Sequence, residues 1–369
     1  MKTYPLESIS IEEAIKKQYK LVDCISDELK SIESLQAGDY GINPLRNQPI
    51  ATGKVENILA NFFDVEDSIF VRGSGTGAIR EALASVLSPG EKILVHTSEI
   101  YSTTKITFDM FGYKAVEADY NDIEKIKKVL LSNYDIKACL IQYTRQELHD
   151  SYDMEEIIKV IKNVNSNIKI ITDDNYAVMK VDKTGVELGA DLSCFSLFKL
   201  LGPEGIGLVI GRKDLIDKIR SFHYSGGSQV QGPEAMESLR SLVYAPVQLA
   251  LQAKQVEDIC EELNNTSISE IDKAIVANAQ SKVVLVKFKT PIAKEILKYS
   301  GDYGAIEYPV GSESRYEIVP MFYRLSGTMR RKNKEYEDYW IRINPMKAGK
   351  DTVIKILSKT IEKVKNVSR

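Results

Sequence analysis

Long apolar runs are missing from this 369-residue chain, and so is any strong excess of one charge. No stretch reaches the roughly 18 consecutive apolar residues that a membrane helix needs. The first residues, Met1-Lys2-Thr3-Tyr4-Pro5, lack the apolar core of a signal peptide. Lys+Arg 49 against Asp+Glu 52 leaves a net charge of −3, so nothing favours a nucleic-acid partner. The short basic cluster Arg330-Arg331-Lys332 reads as a solvated loop. Cysteine is scarce: Cys24, Cys139, Cys194 and Cys260 lie far apart without a CxxC, as expected of reduced thiols in a cytoplasmic protein. His96, His149 and His223 are equally scattered, so no metal-ligand spacing arises and no metal is expected.

What is present is an ordinary globular composition, 43% hydrophobic and 27% charged, enough for one large domain and a smaller one. Ile11, Ala14, Ile15, Val22, Ile25 and Leu29 recur at helical steps and predict a helix over 6–35. Gly, Asn and Pro make 38–49 a loop, and 52–63 is predicted helical. Strands are predicted at 69–72, 92–96, 114–118, 137–142, 168–172, 192–197 and 206–211. Helices are predicted at 76–87, 102–111, 122–132 and 153–163, then a long one over 232–263. This alternation implies an α/β fold: a three-layer large domain with a mostly parallel sheet covered on both faces. The last hundred residues change character. Strands are predicted at 281–288, 316–319 and 340–343, and helices at 292–299 and 350–366, giving a smaller α+β C-terminal domain joined by the chain's beginning. The expected organisation is an N-terminal helix and interface arm over 1–50, the large domain over 51–255 and the small domain over 256–369.

One lysine stands out. Lys199 ends an apolar stretch, with Ser196 three residues before it and the turn Gly202-Pro203-Glu204-Gly205-Ile206-Gly207 after it. Lysine is rarely fully buried without a partner. A desolvated lysine sheds its proton and becomes a nucleophilic amine, as a Schiff base with an aldehyde cofactor requires. A second strand ends in Asp173-Asp174-Asn175-Tyr176. A lysine and an acid on two strand ends are the minimal protein equipment for pyridoxal 5'-phosphate (PLP).

The run Arg72-Gly73-Ser74-Gly75-Thr76-Gly77-Ala78 follows one predicted strand and opens a helix. Its glycines admit an anion to the free N–H groups of a helix N-terminus, so it reads as a phosphate cradle. The spacing Gly73-x-Gly75-x-x-Ala78 also fits a dinucleotide fingerprint. That reading needs an acid at the end of the second strand; Glu99 comes late, and Lys199 and Asp173 stay unexplained.

Together these residues resemble the fold-type I PLP enzymes, the aspartate aminotransferase superfamily, over nearly the whole chain. The glycine turn resembles that of class-V aminotransferases. Tyr101-Ser102-Thr103-Thr104 is placed like the Tyr-Gly-Gly-Thr of the cystathionine lyase group in Cys/Met metabolism. Closer resemblance is to the YhfS-like group of bacterial aminotransferase-class proteins, which share Asp-Asp-Asn-Tyr-Ala-Val-Met-Lys (here 173–180), Phe-Lys-x-x-Gly-Pro-Glu-Gly (198–205) and Tyr-Ser-Gly-Gly-Ser-Gln (224–229).

The resemblance implies roles. Lys199 would carry the cofactor and shuttle a proton. Asp173, followed three residues later by Tyr176 as in the family, would pair with the pyridine nitrogen; Asp174 is its rival. Ser196, Gly75, Thr76 and Gly77 would hold the phosphate, Tyr101 would stack on the ring, and Gln142 would reach its 3-oxygen. Arg342, in the late Trp340-Ile341-Arg342-Ile343 segment, would bind the substrate carboxylate bidentately, with Arg324 as competitor. Ser228, in its glycine-rich loop, together with Tyr40 and Arg46, resembles residues lent across a dimer, although Tyr40 and Arg46 depart from the lyases' Tyr-x-Arg spacing. These segments imply a homodimer with active sites at the interface; no nucleic-acid or membrane partner is expected. The function expected is an aminotransferase acting on an amino acid, a small-molecule substrate. The alternative is a β/γ-elimination lyase, and a more distant one an NAD-linked oxidoreductase. A desulfurase needs a mobile catalytic cysteine, which none of the four resembles. A PLP-sensing regulator would carry a DNA-binding module ahead of the domain, for which this chain is expected to have no room. The 324–339 stretch is the expected mobile segment.

Overall fold

Seven strands, six of them largely buried and one edge strand mostly exposed, draw the centre of the chain into one sheet, and helices cover both faces. The structure is a computed structural model that describes residues 2–367 except 45, 46, 267, 280, 312, 326–329, 331, 332 and 334. Arg46 and most of the basic cluster at 330–332 thus lie outside the described residues, as does part of 324–339.

The strands are β1 Asp67–Arg72, β2 Lys92–His96, β3 Lys114–Ala118, β4 Ile136–Gln142, β5 Lys169–Asp173, β6 Leu192–Ser196 and β7 Ile206–Gly211 in the large domain, and β8 Ile271–Ala279, β9 Ser281–Phe288, β10 Met321–Tyr323 and β11 Trp340–Asn344 in the small one. The helices are α1 Ile11–Glu28, α2 Ile50–Phe63, α3 Ser74–Val86, α4 Ser102–Phe111, α5 Ile123–Ser132, α6 Met154–Val164, α7 Lys213–Phe222, α8 Gly232–Asn265, α9 Ala293–Ser300, α10 Glu335–Tyr339 and α11 Lys350–Val367.

The large sheet runs β1-β7-β6-β5-β4-β2-β3. Its neighbours are parallel except that β7 is antiparallel to both β1 and β6. Side-chain alternation feeds two cores. Ile69 and Val71 of β1 pack with α3, α4 and α7, while Phe70 between them packs with α2 and α8. The small sheet, β10-β11-β9-β8, is antiparallel. Helix α8 serves both domains: Ala235, Leu239 and Leu249 enter the large core, and Val256, Ile259 and Leu263 the small one. The chain's beginning also reaches both. Thr3 Oγ1 donates to the Val276 carbonyl at 2.7 Å and the Leu6 N–H to Asn278 Oδ1 at 2.6 Å, while α1 packs on α2 and α8.

All seven large-domain strands lie where the apolar runs predict them. Elsewhere the structure differs. The first helix is shorter than 6–35, because Ser10 and Glu13 form a capping box at its start and Leu29 turns extended at its end. Residues 316–319 are not a strand. Glu317 instead gathers the N–H groups of Val310, Gly311 and Ser314 on its carboxylate and folds a loop; the strand comes later, at β10. Helix α7 and strand β8 carry no signal singled out in the sequence. Among the described residues no helix is long and apolar enough to cross a membrane.

Candidate active site

Strands β4, β5 and β6 are parallel neighbours, so their carboxyl ends share one edge. That edge carries Gln142, Asp173 and Ser196. Strand β1 runs the same way, being separated from β6 by the single antiparallel β7, and it delivers the glycine turn and the start of α3 to the same place. Ligands in open α/β sheets bind outside the carboxyl ends of strands.

Gly73 (φ +94°) and Ser74 (φ +56°) make the turn into α3, and the Gly73 and Ser74 N–H groups donate to the Gly205 carbonyl at 2.8 and 3.1 Å. The two glycine-rich segments of the sequence are therefore one unit. A Cβ on Gly207 would collide with the Ser74 carbonyl, and one on Gly77 with the Arg72 carbonyl. Gly75 faces Asn175, where a Cβ would lie 2.6 Å from Nδ2.

A cavity of about 180 Å³ opens at this edge. Gly75, Thr76, Tyr101, Gln142, Asp173, Tyr176, Ser196 and Lys199 all line it, so most of the residues singled out in the sequence converge. Asp174 does not line it. It turns away, and its Oδ2 accepts the Gly185 N–H at 2.9 Å; burial pushes its carboxyl up to about 6. Gly77, Ser228, Arg324 and Arg342 are also absent from the lining. Gly77 is spent on close packing, and Ser228 Oγ donates to the Ser225 carbonyl within its own loop at 2.8 Å. Arg342 lays its guanidinium 3.9 Å from the Tyr323 ring centre, and its Nε donates to the Arg324 carbonyl at 2.9 Å; the Arg324 side chain is exposed.

Lys199 sits in a short turn directly after β6. Among the described residues it makes no hydrogen bond or ion pair; it lies 4.0 Å from the Tyr176 ring centre. Burial lowers its proton affinity from 10.5 to about 8, against the pull of Asp173 and Glu313 and with the push of Lys180. Burial raises Asp173, and Lys199 and Asn175 oppose that rise. Tyr101 stands at the start of α4, 45% exposed at the cavity mouth. Among the described residues no cysteine lines the cavity.

Asn175, Thr103, Thr144 and Phe198 also line the cavity, and no motif in the sequence singles them out. Thr76 Oγ1 donates to Thr103 Oγ1 at 3.0 Å, and Gln142 Nε2 to the Thr144 carbonyl at 3.1 Å. Their one signal was adjacency: Asn175 follows the acid pair, and Thr103 follows Tyr101.

These features define an α/β fold with a buried lysine and acid at the carboxyl edge of its sheet, and the chain belongs to the class-V aminotransferase family, which residues 47–283 match. Residues 257–357 match the YhfS-like C-terminal domain. The chain is 46% identical over 364 residues to YhfS of Escherichia coli (strain K12), covering 99% of this chain and 100% of that one. The crystal structure of that pyridoxal-5'-phosphate-dependent protein superposes with a TM-score of 0.96 over 98% of this chain and 100% of the other. A cystathionine gamma lyase from Micromonospora echinospora, 15% identical, shares the fold alone, with a TM-score of 0.72 over 94% of this chain and 98% of that one. Membership of this family overturns the dinucleotide alternative for the glycine turn.

Proposed function

We propose that this protein is a PLP-dependent aminotransferase acting on an amino acid through its α-carboxylate. The carrying observation is the convergence of Lys199, Asp173 and the α3 N-terminus on one cavity. The residues fit the cofactor: a helix start without a Cβ at Gly75, a buried lysine of lowered proton affinity and a buried carboxyl beside it. Bound there, PLP supplies an aldehyde carbon for an amine and a ring that withdraws electrons from the bonds at a substrate Cα.

The chain's own residues divide the remaining work. The Gly75 and Thr76 N–H groups and the Ser196 hydroxyl would hold the phosphate. Asp173 would face the ring nitrogen and keep its proton there, Tyr101 would cover the ring and Gln142 would reach its 3-oxygen. Lys199 would hold the aldehyde carbon and then, once released as a free amine, carry a proton to and from the Cα. Arg342 would bind the substrate carboxylate; Tyr323 and the Arg324 carbonyl, which hold its guanidinium in one orientation, support this. A cytoplasmic homodimer belongs to this reading. Tyr40 is 78% and Tyr224 85% exposed, and these two segments would lie against a second copy, with Ser228 reaching the neighbouring site.

A second reading, an elimination lyase, is favoured by Tyr101, a tyrosine at the cavity mouth that would stack on the ring. The two part on products: an amino acid and a 2-oxo acid exchanging amino groups, or the β or γ substituent leaving with its electron pair, followed by hydrolysis of the remainder to a 2-oxo acid and ammonia.

The test is a visible spectrum of the protein with added PLP, wild type beside Lys199→Ala, across an amino-acid panel. The expected result is a yellow band that shifts with substrate and is lost in the variant, with amino exchange to a 2-oxo acid and activity down by about 10²–10⁴-fold, the range of a positioned proton-transfer group. A wild type that stays colourless with PLP overturns the reading.

A further inference from the structure

Beside Lys199 lies a second buried lysine that the chemistry above does not use. Lys180 follows β5 by seven residues and is 6% exposed; its Nζ is ion-paired with Glu313 of the small domain, 1% exposed. Buried ion pairs are poor sources of stability, because desolvation consumes most of their attraction and an apolar pair of the same size does as well. This pair is nonetheless elaborately held. Glu313 adopts φ +67°, a conformation that costs a residue with a side chain about 1–3 kcal/mol. Gln252 Nε2 of α8 donates to Glu313 Oε1 at 2.9 Å and to Asn344 Oδ1 of β11 at 2.8 Å. Glu317 and Lys347 fix the loop around it, Lys347 donating to the Ser314 and Glu317 carbonyls at 2.6 and 2.7 Å.

The pair points toward Lys199. The Tyr176 ring has Lys199 Nζ 4.0 Å and Lys180 Nζ 5.7 Å from its centre, so both cations lie against one aromatic ring. The charged groups acting on Lys199 are Asp173 at the end of β5, Lys180 after it and Glu313 from the small domain. Those around Glu313 are Lys180, Lys199 and, from the small domain, Lys347, with the Tyr323 phenol.

We propose that Lys180 and Glu313 are a positioning pair for Lys199, fastening the small domain to the turn beneath it and fixing the charge it experiences. The inference rests on Lys199 being the cofactor lysine. Within the pair the two charges oppose each other at Lys199: the Lys180 cation favours its neutral amine and the Glu313 carboxylate its protonated form.

The experiment is a pH titration of the visible band of the PLP-loaded protein in Glu313→Gln, Lys180→Met, the double variant and Lys180→Arg. Glu313→Gln keeps the shape but leaves the Lys180 cation uncompensated, and is expected to lower the midpoint. Lys180→Met is expected to raise it. Each shift should be about 0.5–1.5 pH units, the scale of one charge at this range in partly screened protein. The double variant should return close to wild type, and Lys180→Arg, which keeps the charge, should match wild type. A brace without electrostatic effect would give no opposed shifts, so unchanged or same-direction midpoints in the single variants overturn the inference. Should a single variant fail to fold, a Lys180→Arg midpoint displaced from wild type, or a displaced double variant, overturns it as well. A wild-type band that survives Lys199→Ala overturns the reading of Lys199 and this inference with it. Wild-type titration that persists unchanged in both single variants overturns this inference alone.

Discussion

Asn175 holds Asp173 twice: its Nδ2 donates to Asp173 Oδ1 at 2.7 Å and its backbone N–H to the same oxygen at 3.1 Å. The same side chain turns its Oδ1 to the Ser196 N–H at 3.0 Å. One amide therefore ties the acid on β5 to the serine on β6. Asn175→Ala keeps the backbone bond to Asp173 but removes both side-chain bonds and orphans the buried Ser196 N–H, at about 1–3 kcal/mol for that group. It also removes an influence that opposes the burial-driven rise of the Asp173 carboxyl. The expected outcome is a lower urea midpoint for the apoprotein and faster loss of PLP on gel filtration. Wild-type cofactor retention would remove Asn175 from the site.

The state of Lys199 predicts a pH dependence for cofactor capture. Its affinity for a proton is lowered to about 8, and only the neutral amine attacks an aldehyde. The rate at which apoprotein takes up PLP should climb as pH rises toward about 8 and level off above it, whereas an ordinary lysine would still be climbing near 10.5. Stopped-flow absorbance over pH 6 to 10 reads this directly, and a rate still rising steeply above pH 9 would contradict it.

Gly311 predicts a steric coupling. A Cβ there would collide with the Phe198 ring, and Phe198 lines the cavity beside Lys199. Gly311→Ala should push the ring toward the cavity, cost about 1–3 kcal/mol as overpacking does, and weaken PLP binding. Phe198→Leu in the same chain should recover much of both losses, a non-additivity that a double-mutant cycle measures. Additive effects would show that the two do not meet.

The parts of this molecule legible in its sequence are those with local causes. Apolar runs between turn signals mark all seven strands of the large sheet, and glycines mark the turns that must pass close to carbonyls. Lys199 and Asp173 stand out because charge at the end of an apolar strand is conspicuous in one dimension. Glu313 does not, since its partner Lys180 is 133 residues away. Residues 316–319 misled because Ile318 and Val319 favour strands, yet Ile318 is 63% exposed and the Glu317 carboxylate decides the backbone path. Asn175 was hidden by position: a side chain that joins two strand ends shows its use only once the strands are side by side.

Helix α8 has a mechanical consequence. Its 34 residues span about 51 Å at about 1.5 Å per residue, and it is an unbroken rod shared by both domains rather than a tether between them. Pro246 lies inside it and has no N–H to complete the ladder at that point, which makes it the softest joint in the rod. Motion of the small domain toward a bound amino acid would then be a bend about that joint, with every shift at the substrate end geared to a shift in the large core.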